Sequence, residues 1–387
     1  MKKKLALFIF SIFSVNTLIA QITVSGILDT TVSGNAGAGN MPAYSFGFEE
    51  YANIRFQARL REIASIYGAV NLIAASGDSA LGLAGTGASI TDNFIAAIEL
   101  ERLYFRMRGE HIDFDGGLFR LPFGYGQVWG PSDFLNPRNP LKPDARLRGI
   151  LGAALTWHLV NELKLLGFYA APRDALANEG SGSLFGISLE KRQWGIASIQ
   201  GLYSFETSIT GLDFEESYQG RSSAYGIHRA GLSLKLDITA GLVMEALYIY
   251  NHEERTKLDG LSASAGIDYS FLDGNIIAAA EYLYNGNTSA TALGYGGNFS
   301  NTHYLYTGLT FRFNDFTNLS AALLSCFDDI SFTPILTLNH ELFQGATLII
   351  TAQVPLDRDL FHKDGNQGEL GPRASYFNCS ARVRLRF

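Results

Sequence analysis

The carboxy-terminal segment Phe377–Phe387 alternates strictly between apolar and polar side chains. The apolar positions are Phe377, Cys379, Ala381, Val383, Leu385 and Phe387, and the polar positions are Asn378, Ser380, Arg382, Arg384 and Arg386. Successive side chains of a strand point to opposite faces, whereas a helix repeats about every 3.6 residues, so the pattern predicts a strand with one apolar and one charged face. Such a strand is typical of a transmembrane β-barrel, which places lipid on one face and water on the other.

The way in which the chain ends also resembles a known signal. An alternating strand that finishes on an aromatic residue, here Phe387, resembles the closing strand of bacterial outer-membrane proteins. That resemblance implies recognition by the barrel-assembly machinery and contact with outer-membrane lipid.

The amino terminus has the pattern of an export signal. Three consecutive lysines precede an apolar run from Leu5 to about Val15, and no acidic residue occurs before Ala20. The run is shorter than the roughly 20 residues that a membrane-spanning helix needs. We therefore expect a signal peptide over residues 1–20 and a single barrel domain over residues 21–387.

The composition agrees with a large antiparallel sheet. The chain has 41 Gly, 27 Phe and 18 Tyr but only 10 Pro and 2 Cys, which favours a barrel with aromatic girdles over a soluble enzyme. Removing the three amino-terminal lysines changes the formal net charge from -7 to about -10, which argues against a nucleic-acid partner. The cysteines lie in separate predicted strands, and a disulfide between them is not expected.

About eighteen strand-like segments follow the signal, and sixteen is the nearest alternative count. In the clearest one, Ala52–Leu60, apolar residues alternate with Asn53, Arg55, Gln57 and Arg59. Short connections are predicted near Glu62, Glu110, Asn161, Lys191, Ile238, Asp273, Asn314 and Phe343, and they alternate with mostly longer ones centred near Gly37, Gly82, Pro137, Asn178, Ser217, Arg255, Ser289, Asp328 and Asn366. This is the layout of an outer-membrane barrel with its long loops outside the cell. The sequence therefore predicts an all-β fold: a single transmembrane, antiparallel, up-and-down barrel in the bacterial outer membrane, with both termini in the periplasm.

One predicted strand changes phase in its middle. Its apolar face follows alternate residues from Phe94 to Leu100 and then alternate residues from Leu103 to Met107. An extra residue is needed for this shift, so we predict a β-bulge near Glu101. Beyond the bulge the inward positions are taken by Arg102, Tyr104, Arg106 and Arg108.

The third long connection, residues 122–149, is predicted to be stiff. It holds half of the prolines, namely Pro122, Pro131, Pro137, Pro140 and Pro143, and each proline restricts its own backbone and that of the residue before it. Stiffness suits a loop that folds inward and constricts the pore, with Tyr125, Trp129 and Phe134 against the inner wall. A loop that caps the barrel from outside is the alternative.

The same connection resembles part of a known family. Gly117–Pro140, GLFRLPFGYGQVWGPSDFLNPRNP, resembles the segment after an early strand in bacterial porins of the alginate-export and phosphate-selective type. The matching positions are Gly117, Arg120, Trp129, Gly130, Asp133, Asn136 and Pro137. The resemblance implies a porin-like channel narrowed by this loop, with anionic or carbohydrate solutes. A long lysine ladder is missing from the sequence, which speaks against a dedicated phosphate channel.

Arginines are concentrated in three predicted strands that closure would bring together. The second, fourth and last strands carry Arg55, Arg59, Arg102, Arg106, Arg108, Arg382, Arg384 and Arg386. Arginine stays charged and binds anions through forked hydrogen bonds, so one basic inner sector predicts a weak anion preference. The alternative is that carboxylates such as Glu99, Glu101, Asp113 and Asp115 pair with these arginines and merely stiffen the wall.

The loop adds basic residues to this sector. With them, the predicted pore-lining and selectivity residues are Arg55, Arg59, Arg102, Arg106, Arg108, Glu99, Glu101, Arg120, Arg138, Lys142, Arg146 and Arg148.

Catalytic patterns are weak in this chain. The histidines are scattered, at His111, His158, His228, His252, His303, His340 and His362, and no Gly-x-Ser-x-Gly elbow occurs. Neither metal-ligand spacing nor a nucleotide loop stands out in the sequence. We therefore expect neither an enzyme nor a cofactor.

Strand number decides the predicted function. Barrels of about 16 to 18 strands leave an aqueous passage, whereas barrels near eight strands fill with their own side chains. The sequence thus predicts a passive channel for small hydrophilic solutes. It leaves the oligomeric state open between a monomer and a homo-oligomer. Two alternatives stay open: a transporter of hydrophobic solutes of the fatty-acid type, and a surface adhesin or structural barrel.

Overall fold

The fold is known from a computed structural model. It describes residues 20–37, 44–60, 62–81, 89–91, 94–141, 149–159, 162–172, 182–193, 195–207, 226–251, 260–286, 299–357, 368–370 and 375–387.

The described residues form nineteen strands. They are β1 (Ala20–Gly37), β2 (Tyr44–Leu60), β3 (Ala64–Gly77), β4 (Ser89–Thr91), β5 (Phe94–Arg108), β6 (Ile112–Phe119), β7 (Ile150–His158), β8 (Leu163–Ala170), β9 (Leu184–Gln193), β10 (Ala197–Glu206), β11 (Ile227–Asp237), β12 (Gly241–Asn251), β13 (Leu261–Phe271), β14 (Ile276–Asn285), β15 (His303–Asn314), β16 (Thr317–Cys326), β17 (Ser331–Phe343), β18 (Ala346–Gln353) and β19 (Ser375–Arg386).

Eighteen of these strands close into an antiparallel, up-and-down barrel. Each pairs with its neighbours in chain order, and β1 pairs with both β2 and β19. The short β4 is not one of the eighteen; it pairs with the first residues of β5, which do not pair with β6. The predicted fold class and the count of eighteen strands are therefore confirmed.

Helices are a minor part of the described chain. A four-residue α-helix occupies Asp78–Leu81, and a 3-10 turn occupies Leu272–Gly274. None of the helices in the described ranges has the length and the apolar character needed to cross a membrane.

Alternation divides the wall into two faces. On β5 the side chain of Ile98 is 79% exposed on the outer face, whereas Glu101 is buried on the inner face. On β19 the outward Val383 and Leu385 flank the inward Arg384, which hydrogen-bonds to Asp29 on β1. The outer face is apolar and the inner face carries the charges, as the sequence pattern predicts.

The predicted bulge in β5 is present. Ala69 of β3 pairs with Arg102, but the next residue, Val70, pairs with Leu100, so Glu101 is the extra residue. Because a bulge shifts the phase of a strand by one position, Leu100 and Leu103 can both face outward. The prediction of a bulge near Glu101 is thus confirmed.

The last residue helps to close the barrel. The backbone N–H of Phe387 donates to the carbonyl oxygen of Gly26 at 3.2 Å, and Gly26 N–H donates back to Phe387 at 2.8 Å. A Cβ atom at Gly26 would overlap the Phe387 ring, so glycine is needed where the ring lies across β1.

The short connections fall close to their predicted places. The turns after β2, β5, β11, β13, β15 and β17 lie at or next to their predicted residues. The turn predicted near Lys191 lies a few residues later, because Lys191 still pairs in β9. Several predicted long loops, including those centred near Asn178, Ser217, Arg255 and Ser289, fall outside the described residues.

β6, β7 and β8 have only eight or nine residues each. The long connection between β6 and β7, here called the β6–β7 segment and described over residues 120–141, leaves the wall at these short strands.

Candidate functional site

The β6–β7 segment contacts two wall glutamates through its backbone. Glu245 on β12 is 3% exposed and accepts three N–H groups. Tyr125 N and Gly126 N donate to its Oε1, the latter at 2.5 Å, and Ser132 N donates to its Oε2 at 3.3 Å. One carboxylate therefore fixes both ends of an eight-residue stretch of backbone.

Glu281 on β14 makes an equivalent set of contacts. Its side chain is 5% exposed. Its Oε2 accepts N–H groups from Gln127 at 3.2 Å and Val128 at 3.0 Å, and its Oε1 accepts Trp129 N–H at 2.7 Å. Hydrogen bonds to an ionised acceptor are stronger than neutral ones, so these two glutamates are the principal polar anchors of the segment.

Other wall residues extend the contact to neighbouring strands. Gln200 on β10 accepts Gly124 N–H at 2.7 Å, and Asp268 on β13 accepts the side-chain amide of Gln127 at 2.9 Å. At the far end of the segment, Gln353 on β18 donates to the carbonyl oxygen of Leu141 at 3.1 Å. The segment thus lies against the inner face from β10 to β14 and reaches β18.

An aromatic side chain forms the apolar anchor of the segment. Trp129 is fully buried and packs edge-on against Phe299, with 5.3 Å between ring centroids, and at 5.5 Å from Tyr304 of β15. Phe123 and Phe134 stack on each other at 6.0 Å, and the guanidinium of Arg229 lies 5.1 Å from the Phe134 ring. Trp129 therefore contacts Tyr304 of β15, and Phe134 contacts Arg229 of β11.

The WGPSDFLNP stretch folds as two consecutive turns. Asp133 N–H donates to the carbonyl oxygen of Gly130 at 2.9 Å, and Asn136 N–H donates to that of Asp133 at 3.1 Å. The side-chain amide of Asn136 also donates to the Leu121 carbonyl oxygen at 2.9 Å. Asp and Asn are the residues that favour such local bonds, which explains why these types occupy the stretch.

Burial raises the pKa of the Asp133 carboxyl to about 7, from an ordinary value of 3.8. The N–H of Phe123, which donates to Asp133 at 3.3 Å, and the charge of Arg138 act in the opposite direction but do not outweigh burial. Because the packed segment binds this proton more tightly than an unpacked one, its stability is highest below the ordinary pKa and falls as pH rises through about 7.

Replacing Asp133 by asparagine should therefore remove a pH dependence. We expect the rate of trypsin cleavage after Arg138 in the wild type, divided by the rate in Asp133→Asn, to be larger at pH 8 than at pH 5, because the wild type loses stability between pH 3.8 and about 7. Comparing the two proteins at each pH cancels the pH dependence of the protease. A rate ratio that is the same at both pH values would contradict the linkage.

A second cluster surrounds the bulge residue Glu101. Its carboxylate binds Arg102 and Arg120, each at 2.9 Å, and accepts the Asn53 side-chain amide at 2.6 Å. Arg55 in turn donates to the side-chain oxygen of Asn53. Three arginines thus share the neighbourhood of one carboxylate. The pKa of the Arg120 guanidinium is lowered, mainly by burial and to a smaller extent by the nearby charge of Arg102.

The remaining arginines of the predicted basic sector are mostly paired. Arg106 binds Asp115 at 2.6 Å and Arg108 binds Asp113 at 2.6 Å. Arg384 binds Asp29 through two bonds of 2.9 and 2.8 Å, and Arg382 approaches the same carboxylate at 4.0 Å. The order β19, β1, β2, β3, β5 does bring these strands together, with the pairing that the alternative interpretation describes.

The other predicted site residues are more dispersed. Arg59 is exposed near the end of β2, and Glu99 is half-buried on β5. Arg138 is exposed and donates to the carbonyl oxygen of Gln127 at 3.2 Å. The predicted residues Lys142, Arg146 and Arg148 lie outside the described residues.

Several described histidines make separate local contacts. His158 lies 2.8 Å from Asp113, His228 bonds Tyr203 at 2.7 Å, and His340 bonds Thr317 at 2.9 Å. His252 and His362 lie outside the described residues.

One group of candidate metal ligands appears only in three dimensions. Cys326, Asp329 and Glu369 have ligand atoms within 4.8 Å of one another. The carboxylates already accept hydrogen bonds that join two connections: Glu369 N–H donates to Asp329 at 2.5 Å, and Glu369 accepts from Tyr304. Both cysteines are free thiols. These hydrogen bonds explain the close approach of Asp329 and Glu369 as a contact between two loops.

The sequence interpretation missed Glu245 and Glu281. A usable signal exists: each is the one charged residue in its strand, GLVMEALYIYN for β12 and IIAAAEYLYN for β14. A lone carboxylate in an otherwise uncharged strand requires partners from another part of the chain.

Comparison with solved structures identifies proteins that share this fold. The sequence matches no family model, and it matches no curated protein. Acinetobacter baumannii OccAB4 superposes with a TM-score of 0.57 at 10% identity, over 95% of this chain and 98% of that chain. A BenF-like porin from Pseudomonas fluorescens superposes with a TM-score of 0.58 at 9% sequence identity. Pseudomonas aeruginosa OccK5 (OpdH) superposes with a TM-score of 0.54 at 7% identity. Each match covers 95% of this chain and 98% of the other.

These identities are too low to support more than shared architecture. The narrower resemblance to alginate-export and phosphate-selective porins stays a prediction. Strand number, closure and near-complete coverage of both chains agree, and the chain therefore has the barrel fold of these bacterial outer-membrane porins.

Proposed function

We propose that the protein is a passive outer-membrane channel for small hydrophilic solutes, narrowed by an inward-folded β6–β7 segment. The observation that carries the proposal is the attachment of this segment to inner-wall residues of an eighteen-stranded barrel. A barrel of this size is wide enough for an aqueous passage, and a segment fixed against its inner face reduces that passage without filling it.

The proposed passage is eccentric. Inward side chains of the strands near the segment are buried in an apolar cluster, which includes Phe119, Ile150, Phe168, Leu184, Leu202, Leu247, Leu283, Tyr304 and Leu324. On β18 and β19 several inward side chains are polar and only half-buried, as at Thr351, Gln353 and Ser380. Solutes would therefore pass between the segment and the wall formed by β19, β1, β2, β3 and β5.

Charge along that wall supports a weak anion preference. Around the bulge, three arginines lie close together: Arg102 and Arg120 contact the carboxylate of Glu101, and Arg55 contacts Asn53, which also binds Glu101. The pairs Arg106–Asp115 and Arg108–Asp113 add no net charge. Positive charge at a constriction lowers the barrier for anions relative to cations, and acidic carbohydrates are candidate solutes on the same ground.

We also propose where the protein lies in the cell envelope. The protein would lie in outer-membrane lipid with both termini in the periplasm. Its carboxy-terminal strand, which ends at Phe387, would be recognised by the barrel-assembly machinery. Arg138 and, by sequence, Lys142, Arg146 and Arg148 would add positive charge along the segment. The protein would need no cofactor and carry out no catalysis.

Planar bilayers test the function directly. The purified barrel should give stepwise single-channel currents, and in a salt gradient its reversal potential should have the sign expected for anion preference. A barrel that leaves the bilayer sealed would refute the channel, whereas a cation-selective reversal potential would refute only the anion preference.

Glu101→Gln should strengthen the anion preference. The substitution removes a negative charge that contacts both Arg102 and Arg120, so the reversal potential in a salt gradient should shift further toward anions. Glu62→Gln, in the exposed turn after β2, removes the same charge far from the bulge and should leave the potential unchanged. Equal shifts in both variants would show that the Glu101 cluster does not line the passage.

A further inference from the structure

Two buried glutamates hold the β6–β7 segment by its backbone. Glu245 and Glu281 lie on inner-face positions of β12 and β14, separated by β13, and each accepts three N–H groups from residues between Tyr125 and Ser132. Six amides of one short stretch therefore point at two wall carboxylates.

This convergence is specific in its geometry. Five consecutive residues, 125–129, aim their N–H groups at the wall, an arrangement in which aligned amide dipoles face negative charge. Gly124 has a φ of +75°, and a Cβ atom there would overlap the Glu245 carboxylate. The backbone is thus brought as close to the wall as the absence of a side chain allows.

We propose that Glu245 and Glu281 are positioning residues that set the width of the pore by holding the segment against the wall. The inference rests on the proposed channel function and extends it to residues on the side of the lumen opposite the basic sector. Because the contacts are made to backbone amides, the ionised carboxylate is the part of each glutamate that matters. A glutamine of the same shape offers one oxygen and presents an NH₂ group to the remaining donors.

The experiment compares charge removal at the anchors with charge removal elsewhere. Glu245→Gln, Glu281→Gln and the double variant are reconstituted in planar bilayers beside Glu341→Gln. Glu341 lies on β17 in phase with the inward Thr333 and makes no contact with the segment among the described residues. Heat-modifiable mobility in electrophoresis establishes that each barrel is folded.

We expect the anchor variants to conduct more than the wild type and to show larger current fluctuations, with the greatest change in the double variant. We also expect trypsin cleavage after Arg138 to become about tenfold faster, the change produced by losing one charge-assisted hydrogen bond. Glu341→Gln should change neither property. Folded anchor variants with wild-type conductance and cleavage would overturn the proposal.

Cross-linking supplies a rescue test. The hydroxyl oxygens of Ser132 in the segment and Ser233 on β11 lie 3.0 Å apart. In a background with Cys326→Ala and Cys379→Ala, the pair Ser132→Cys and Ser233→Cys should form a disulfide that returns the double variant to wild-type conductance. Conductance that stays high in the oxidised protein would mean that the glutamates act otherwise than by holding the segment.

A glycine pair tests the same contact from the segment side. Gly124→Ala should displace the backbone from Glu245 and mimic the anchor variants. At Gly130 the nearest atom to an added Cβ is Asp133 Cβ at 3.6 Å, an ordinary contact, so Gly130→Ala should behave as wild type. If the wild-type barrel did not conduct, the channel function would fail, and the cleavage rates would still decide the role of the glutamates.

Discussion

Replacing Trp129 by alanine is expected to detach the β6–β7 segment from its apolar anchor and to raise single-channel conductance. Trp129 is fully buried against Phe299 and Tyr304, and truncating a buried aromatic residue to alanine costs about 3 to 5 kcal/mol. That free energy is lost locally, because the ring joins the segment to the wall and takes no part in strand pairing. Conductance in planar bilayers and cleavage after Arg138 would report the change.

A matched tryptophan distinguishes local detachment from general damage. Trp157 on β7 is 49% exposed on the outer face, so Trp157→Ala should leave conductance unchanged. Trp129→Ala that folds and conducts as the wild type would show that polar contacts alone hold the segment. Loss of folding in Trp129→Ala would show that the barrel wall itself depends on the segment.

Replacing Asp29 by asparagine is expected to weaken the seam where the barrel closes. Asp29 on β1 is almost fully buried and takes two hydrogen bonds from Arg384 on β19. Removing one partner of a buried ion pair leaves the other charge uncompensated and costs about 3 to 5 kcal/mol. Urea unfolding in detergent, followed by tryptophan fluorescence, should show this loss as a lower midpoint.

Two further variants define what the pair contributes. Lys235 and Asp237 form an ion pair of similar length, 2.9 Å, but Asp237 is half exposed; Asp237→Asn should cost only about 0 to 1 kcal/mol. Asp29→Leu combined with Arg384→Met replaces the buried charges together and should recover much of the loss. If Asp29→Asn unfolded at the wild-type midpoint, the seam would be held by strand pairing alone.

The barrel could be predicted from the sequence because its main determinant is local. Alternation in segments such as Ala52–Leu60 and Leu261–Phe271 reflects lipid on one face and water on the other, and it needs no knowledge of distant residues. The same logic located the bulge at Glu101, since a phase change within one strand has few explanations. Identities of 7 to 10% to solved porins fit a fold specified by pattern and hardly at all by residue identity.

The site was less predictable because its decisive contacts are long-range. The prolines and aromatic residues of the β6–β7 segment indicated a stiff element, but they did not indicate its partners. Those partners are Glu245 and Glu281, more than a hundred residues away, and they bind backbone groups that every residue carries. Charge counting identified the arginines of the basic sector, but their pairing with Asp29, Asp113 and Asp115 depends on strand register, which only the structure supplies.

Attachment through main-chain amides also bears on how such a channel can diversify. Carboxylates that accept hydrogen bonds from the backbone do not depend on the identity of the side chains in that stretch. Tyr125, Gln127 or Val128 can therefore be substituted while the backbone hydrogen bonds to the glutamates persist. Glycine at 124 is the exception, since its contact with Glu245 tolerates no substituent. New solute preferences can therefore arise by substitution along the lining, with the aperture itself preserved.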